Sequence, residues 1–342
     1  MRDALMSKDI NGALLDGVLS KVRADIGRYP RRTVRNLLDL GEKLARGQSQ
    51  KTFLGNARDM LEKRSSAYYK AVEDMVSHVD LDHLFTFGKN VGYNSCLKGS
   101  RIIGEIRDKE GYSAPWALSL VMDEDRLSRT PELYDQVIVQ GMGIGIYTYL
   151  LFGPETKDLL LLSRTHPECA FVLFVRGQEL DEAFLSQLAL CRNVLLAVED
   201  DRYMDDNCRV LRENKLFYGI YTAYDDVGKE HILNGCWLSD ILPDHPQFAF
   251  LLPREDSTPR SKAQVYDYMI SIRKGQKYPV FLMDIGQDMI TINEMVLKDR
   301  CAVYFDQEGM LHIHGRPCPE ITCNIFEESL TDIFRQTLSS EE

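Results

Sequence analysis

The sequence lacks any long apolar run. No stretch approaches the roughly 20 consecutive apolar residues that span a bilayer, and Met1-Arg2-Asp3 opens no apolar segment of the kind that marks a signal peptide. The sequence therefore predicts no membrane partner and no export, and we expect a cytoplasmic protein.

The chain also has few cysteines and no excess of positive charge. Eight cysteines among 342 residues are too few for a disulfide scaffold, so we expect reduced thiols. The net charge is −11, from 41 Lys and Arg against 52 Asp and Glu. A nucleic-acid partner would need clustered positive charge to offset its phosphates, and this balance argues against one.

The N-terminal part of the chain has the spacing of helices. Apolar residues recur three and four positions apart between Val34 and Leu44, and a second such pattern runs from Ala57 to Val76. We take residues 1–84 as an N-terminal helical region. Residues 85–115 contain recurring glycines and are predicted to be an irregular connector.

From Trp116 short apolar runs alternate with amphipathic segments of about ten residues. This alternation is typical of parallel βα units, so we predict an α/β fold whose sheet curls into a full or partial barrel over residues 116–283. After Met283 the pattern fails, and residues 284–342 are predicted to be a β-rich segment with a final helix. The predicted barrel strands cover residues 116–122, 146–152, 170–175, 194–198, 217–222, 247–252 and 280–283.

One stretch carries a family resemblance. Residues 84–120 read LFTFGKNVGYNSCLKGSRIIGEIRDKEGYSAPWALSL, which resembles the segment that leads into the first barrel strand of bacterial radical S-adenosylmethionine (SAM) proteins. The similarity continues more weakly to the last helix. It implies a partial (βα)6 TIM-like barrel, the radical SAM fold, with an N-terminal helical extension.

The chain lacks the cluster-binding motif of this family. In the family, a loop with Cys-x-x-x-Cys-x-x-Cys follows the first strand and binds three irons of a [4Fe–4S] cluster, whose fourth iron chelates SAM. Here residues 121–130 contain no cysteine, and that spacing occurs nowhere in the chain. Acids and arginines cannot replace soft thiolate ligands, so we expect no cluster.

Three further loops differ from the family pattern. Phe152-Gly153-Pro154-Glu155 replaces Gly-Gly-Glu-Pro, Val175-Arg176-Gly177 replaces Thr-Asn-Gly, and Ala197-Val198-Glu199-Asp200-Asp201 replaces a Ser-Ile-Glu-Gly turn. Chemistry in such barrels lies at the carboxyl ends of the strands. We therefore expect a degenerate pocket rim, formed by Gly153, Pro154, Glu155, Arg176, Gly177, Glu199 and Asp200.

Two groups of residues have the types that bind metal ions. His312-x-His314 with Cys318 and Cys323 has residue types that bind zinc, but exposed polar residues and buried thiols explain this region better. The acids from Glu199 to Asp206 could hold Mg²⁺ or Ca²⁺, yet a solvated loop before a helix N-terminus explains them more simply.

The sequence therefore favours a pseudoenzyme with no catalytic, cofactor-binding or metal-ligating residue and no cofactor. Its expected role is binding or regulation, with a protein or peptide partner such as an active radical SAM relative. The alternatives are an enzyme with different, metal-assisted chemistry at the barrel mouth, or a radical SAM enzyme with displaced cluster ligands. The oligomeric state is left open.

Overall fold

The computed structural model describes residues 10–45, 48–154, 156–319 and 323–339. Its centre is one curled ten-stranded sheet, in the spatial order β10-β9-β8-β1-β2-β3-β4-β5-β6-β7. The strands are β1 (Ala117–Val121), β2 (Thr148–Phe152), β3 (Ala170–Val175), β4 (Val194–Glu199), β5 (Tyr218–Tyr224), β6 (Phe248–Pro253), β7 (Phe281–Asp284), β8 (Val303–Phe305), β9 (Leu311–Ile313) and β10 (Arg316–Pro317).

The first seven strands are parallel and lie in chain order. Short apolar runs form them because both faces of a parallel sheet are covered or lie within a barrel. The helices that link or follow them are α7 (Glu124–Arg129), α8 (Pro131–Gly143), α9 (Lys157–Thr165), α10 (Glu182–Leu188), α11 (Met204–Glu213), α12 (Lys229–Leu233), α13 (Cys236–Ile241), α14 (Pro259–Gly275) and α15 (Ile285–Leu297).

Alternate residues of each strand point to opposite faces of the sheet. Tyr149 and Leu151 of β2 belong to the outer face, where the Tyr149 hydroxyl donates to the carbonyl of Ile138 in α8 at 3.1 Å. Phe152 points to the opposite face from Tyr149 and is in register with Phe174 of β3. The outer face is therefore packed under helices, and side chains such as those of Phe152 and Phe174 line the concave inner face.

Helix α15 shows how strongly the sheet curls. Asp284, the last residue of β7, caps its N-terminus by accepting from the backbone N–H of Gln287 at 2.8 Å. Nine residues after Asp284, the side chain of Asn293 accepts from the backbone N–H of Trp116, just before β1, at 2.9 Å. Because a helix rises 1.5 Å per residue, roughly 13 Å of helix connects the carboxyl end of β7 to the start of β1. Strands at opposite ends of the parallel series are therefore close in space, so the sheet is curled into a half-barrel.

The C-terminal segment extends this sheet. β8 pairs in parallel with β1, with Ser119 opposite Tyr304, and β9 and β10 follow as an antiparallel meander. The last helix, α16 (Leu330–Thr337), buries Ile333 and Phe334 completely. One continuous core therefore joins the meander and α16 to the half-barrel.

The N-terminal helices are α1 (Ile10–Ile26), α2 (Pro30–Leu44), α3 (Gln48–Asp59), α4 (Tyr68–His78), α5 (Leu81–Lys89) and α6 (Ser100–Glu110). A π-helix over Asn90–Gly99 joins α5 to α6 without a break. At Gly99 the chain passes so close to the turn before β2 that an added Cβ would lie 2.2 Å from the carbonyl oxygen of Gly145. No described helix has both the length and the apolar character needed to cross a membrane.

The α/β half-barrel is confirmed, and all seven predicted strands exist with ends shifted by two residues at most. Three local predictions were wrong. The connector is helical from Leu81 to Glu110: Gly99 serves a close contact with Gly145, and only Gly111 forms a turn, with a positive φ at the end of the helix. The pattern does not end at Met283, since α15 follows directly. The helix predicted from Ala57 to Val76 is two helices, separated by residues 60–67.

Candidate functional site

The carboxyl ends of the parallel strands meet at one edge of the half-barrel, which we call the mouth. In parallel α/β sheets ligands bind at this edge, because strand ends and helix starts leave a crevice there. The described residues of the predicted rim follow β2 and β3 or lie at the end of β4. They therefore belong to the mouth, as does the loop after β1.

The loop after β1 is short and firmly held. Asp123 caps α7 by accepting from the backbone N–H of Arg126 at 2.7 Å, and its own N–H donates to the Tyr134 hydroxyl at 2.9 Å. The Arg126 guanidinium donates to the carbonyl of Gln307 at 2.6 Å and lies 4.1 Å from the centre of the Phe326 ring. The C-terminal segment thus fixes this loop.

The turn after β2 is tightly packed. The backbone N–H of Gly153 donates to the carbonyl of Phe174 at 3.3 Å. A Cβ at this position would lie 2.9 Å from the Cβ of Met122, closer than real side chains approach, so glycine is required here. Pro154 follows and is half-buried. Glu155, the next predicted rim residue, lies outside the described residues.

The turns after β3 and β4 bring charged residues together. Arg176 is exposed, and Gly177 has a positive φ of 46°. Glu199 is half-buried at the end of β4; burial raises the pKa of its carboxyl, and the nearby Arg176 and Arg254 partly oppose that rise. The structure therefore places Arg176, Gly177 and Glu199 in one neighbourhood, joined by Arg254 from the loop after β6.

Asp200 belongs to a different environment. Its backbone N–H donates to the carbonyl of Tyr221 at 2.8 Å. Burial of its carboxyl raises the pKa of Asp200 although much of the residue is accessible, and Trp237 of α13 opposes this rise most. The Trp237 indole nitrogen nevertheless completes no hydrogen bond of normal geometry. The side chains of Glu199 and Asp200 therefore lie in different surroundings. The described residues contain no cluster of acids, histidines or cysteines that would hold a metal ion.

Aromatic rings fill the concave face beneath the mouth. Phe152 stacks on Phe174 with ring centres 4.4 Å apart, and Phe174 meets Tyr221 and Phe250 edge-on at 5.3 and 5.4 Å. Phe248 stacks on Phe250 at 5.7 Å. We call these five residues the inner aromatic cluster. The sequence analysis did not predict this cluster. The available signal was that aromatic residues recur in these strands, at positions that alternate with the residues packed under the helices.

The residues at the mouth do not fit an iron–sulfur cluster held by three thiolates. Residues 122–130 contain no cysteine. Cys169, Cys191 and Cys301 lie just before β3, β4 and β8, at the opposite end of the strands. Burial raises the pKa of the Cys191 and Cys301 thiols to about 12, which disfavours the thiolate that an iron ligand must be. The remaining cysteines are Cys96 in the π-helix, Cys208 in α11, Cys236 in α13, and Cys318 and Cys323 after β10.

The zinc interpretation of the C-terminal segment fails on geometry. His312 stacks on Tyr304 at 4.4 Å, and its Nε2 lies 2.8 Å from an Asp306 carboxylate oxygen. Cys318 pairs with Leu311, the neighbour of His312 on β9, so the cysteine and the histidine lie on opposite faces of the meander. Carboxylate, imidazole and thiol therefore do not converge.

A buried carboxylate lies on the outer face at the end of β7. Asp284 is 2% exposed and accepts from the Tyr224 hydroxyl at 2.9 Å. Its backbone N–H donates to Asp288 at 2.9 Å, and Asp288 forms an ion pair with Arg273. Burial raises the pKa of Asp284 to about 6. This network lies on the outer face of the sheet, beneath α14 and α15.

Comparison with known proteins bears on the fold. No protein-family model and no curated protein matches the sequence. SuiB from Streptococcus suis bound to S-adenosylmethionine matches with a TM-score of 0.50 and 12% identity, over 70% of this chain and 68% of SuiB. SuiB bound to its precursor peptide SuiA matches at 0.49 and 12%, over 70% and 69%. The enzyme anSMEcpe with bound AdoMet matches at 0.41 and 9%, over 64% and 80%.

SuiB is a radical SAM enzyme. The match to SuiB at this level of identity concerns architecture alone, and it agrees with the half-barrel of parallel strands. The architecture of the chain is therefore that of a half-barrel consistent with the radical SAM fold.

Proposed function

We propose that this chain is a non-catalytic binding protein on a radical SAM fold, with neither a [4Fe–4S] cluster nor SAM cleavage. The observation that carries the proposal is the loop after β1. Where the fold family holds its cluster, this chain has a cysteine-free turn and the helix α7, capped by Asp123 and fixed through Arg126. Cluster ligands must be thiolates at close spacing, and this loop supplies none.

The interior of the half-barrel supports the same proposal. Phe152 stands where the family has a glycine of its SAM-binding turn, and it stacks on Phe174. Phe174 and Phe250 are only 1% and 3% exposed, so aromatic rings occupy the space beneath the mouth. A small-molecule site needs a cavity of about 300 Å³ or more. The filled interior favours a partner that binds on the rim.

The charges of the rim indicate the kind of partner. Arg176 and Arg254 are exposed on either side of Glu199, and neither guanidinium has an ion pair or side-chain hydrogen bond with a described residue. Arginine forms strong paired hydrogen bonds with carboxylates. A peptide that offers a carboxylate next to apolar side chains fits this rim, and such a peptide is the partner we propose.

Anaerobic reconstitution tests the absence of a cluster. The purified protein is incubated with iron and sulfide alongside SuiB as a cluster-forming control, and bound iron, bound sulfide and visible absorbance are measured. We expect SuiB to gain stoichiometric iron and this chain to gain none. Four irons and four sulfides per chain would refute the proposal.

Calorimetry with SAM tests the filled interior separately. We expect no heat of binding at SAM concentrations that saturate SuiB. A dissociation constant in the micromolar range, about −8 kcal/mol, would mean that the SAM pocket survives. The Phe152→Gly variant serves as a check, because any SAM binding that this variant gains identifies the ring as the obstacle.

Peptide display tests the partner class. Peptides selected on the immobilised protein are measured against Arg176→Ala and Arg254→Ala, with Arg129→Ala as an exposed arginine outside this neighbourhood. We expect carboxylate-containing peptides that lose about tenfold affinity in the first two variants only. Equal binding by all variants would place the binding surface elsewhere.

A further inference from the structure

Two cysteines of the C-terminal segment lie side by side. The sulfur atoms of Cys318 and Cys323 are 3.1 Å apart. Cys318 follows β10 and is half-buried, whereas Cys323 is completely buried. The other six cysteines comprise five buried thiols and the exposed Cys236.

The backbone fixes this pair through one residue of β9. The N–H of Cys318 donates to the carbonyl of Leu311 at 2.8 Å, and the N–H of Leu311 donates to the carbonyl of Cys323 at 3.0 Å. Both cysteines are therefore anchored to the same fully buried residue. A disulfide has a sulfur–sulfur distance of about 2.05 Å, so closing the gap requires about 1 Å of side-chain movement.

We propose that Cys318 and Cys323 form an intramolecular disulfide by exchange with a low-molecular-weight disulfide such as oxidised glutathione. The Cys318 thiolate, as the more accessible sulfur, attacks the oxidant and releases one glutathione thiolate, which takes up a proton. The Cys323 thiolate then attacks the Cys318 sulfur of this mixed disulfide and releases the second glutathione. The protein loses two protons and two electrons, and the oxidant gains them as two thiols.

The disulfide has a structural consequence at the mouth. Asn324, the next residue, donates from its side chain to the carbonyl of Glu308 at 2.9 Å, and Phe326 covers Arg126 in the loop after β1. Oxidation therefore links β10 covalently to the segment that fixes that loop. We expect the midpoint of thermal unfolding to be about 2–4 °C higher in the oxidised protein than in the reduced protein.

The test uses the full chain treated with oxidised glutathione or with dithiothreitol, then alkylated in denaturant. Intact mass should show eight alkylated cysteines after reduction and six after oxidation, because two of the eight are consumed. Cleavage after glutamate then separates residues 309–320 from residues 321–327. Only a Cys318–Cys323 disulfide keeps these two peptides together.

Variants identify the bond and its order of formation. Cys318→Ser and Cys323→Ser should each abolish the linked peptides, and Cys323→Ser should accumulate glutathione on Cys318. Cys236→Ser, which removes the exposed thiol, should retain the linked pair. Eight alkylated cysteines after oxidation, a stable glutathione adduct on Cys318 of the unsubstituted protein, or a linked product that requires Cys236 would each overturn the proposal.

Discussion

Asp284 shows what burial does to a single carboxyl group. It combines three roles, since it ends β7, caps α15 and accepts from Tyr224. These hydrogen bonds favour its charged form, but burial outweighs them and raises its pKa to about 6. The folded protein therefore binds a proton on Asp284 at pH values where the unfolded chain has released it.

The pH dependence of Asp284→Asn follows from this shift. Above the unfolded pKa, near 3.8, the wild type loses stability as pH rises towards 6, because folding must keep the charged carboxylate buried. Asparagine also caps helices but carries no charge. We expect the unfolding free energy of the variant relative to wild type to rise by about 2 kcal/mol between pH 4 and pH 7.

Urea titrations at several pH values measure this difference. Asp267→Asn, at an exposed position of α14, is the control and should show no comparable trend. A relative stability of Asp284→Asn that stays flat would show that folding does not shift this pKa, and one that falls as pH rises would show that the folded state favours the charged form of Asp284.

Among the elements, the continuous helix from Leu81 to Glu110 depends most on one close contact. At Gly99 an added Cβ would meet the carbonyl oxygen of Gly145 at 2.2 Å, whereas at Gly104 in α6 it would meet nothing within 4 Å. We expect Gly99→Ala to destabilise the protein by about 2–3 kcal/mol through overpacking. Gly104→Ala should be neutral or stabilise by up to about 1 kcal/mol, because alanine favours helix.

Chemical denaturation of both glycine variants tests this expectation. They make the same chemical change on one continuous helix, so the difference between them isolates the contact with the turn before β2. Equal stabilities would mean that the π-helix can move away from Gly145 at little cost.

The loop after β1 gives a second test at the scale of elements. Arg126 contacts both the Gln307 carbonyl and the Phe326 ring. Among the described residues, Arg129 of the same helix has only a long, exposed ion pair with Asp125 at 3.7 Å. We expect Arg126→Ala to cost about 1–2 kcal/mol of unfolding free energy and Arg129→Ala less than about 0.5 kcal/mol.

Denaturant midpoints of the two arginine variants provide the measurement. Proteolysis of the loop gives a second readout, because the Arg126→Ala protein should be cut between residues 122 and 131 faster than the Arg129→Ala protein. If both variants behave as wild type does, the C-terminal segment does not fix the loop.

The strands of the half-barrel were predictable because burial on both faces makes each strand a short apolar run, such as 170–175, which β3 matches residue for residue. Glycines misled the prediction for residues 85–115, because their use at Gly99 is a tertiary contact that no local pattern contains. The rim neighbourhood of Arg176 and Glu199 followed from strand order alone. The inner aromatic cluster did not, because register between strands decides which rings meet.

At the scale of the whole molecule, the C-terminal segment belongs to the same cooperative unit as the half-barrel. Leu120 of β1 is in register with Phe305 of β8, and Phe305, Leu311 and Phe334 are all fully buried. Separating the segment from β1 would expose these side chains together. Regions that open only with the whole fold share its free energy of opening.

Native-state hydrogen exchange tests whether the C-terminal segment and the half-barrel open together. We expect the amides of β8 and β9 to exchange with the same free energy and denaturant dependence as those of β1–β4, whereas α1, which packs on α2 and α5, should exchange from a smaller opening. Phe305→Ala should lower the global unfolding free energy by about 3–5 kcal/mol, with one midpoint for the whole chain. Exchange of β8–β10 through a separate, less costly opening would instead make the C-terminal segment an independent unit, and disulfide formation at Cys318 and Cys323 would then stabilise that unit without changing the exchange of β1.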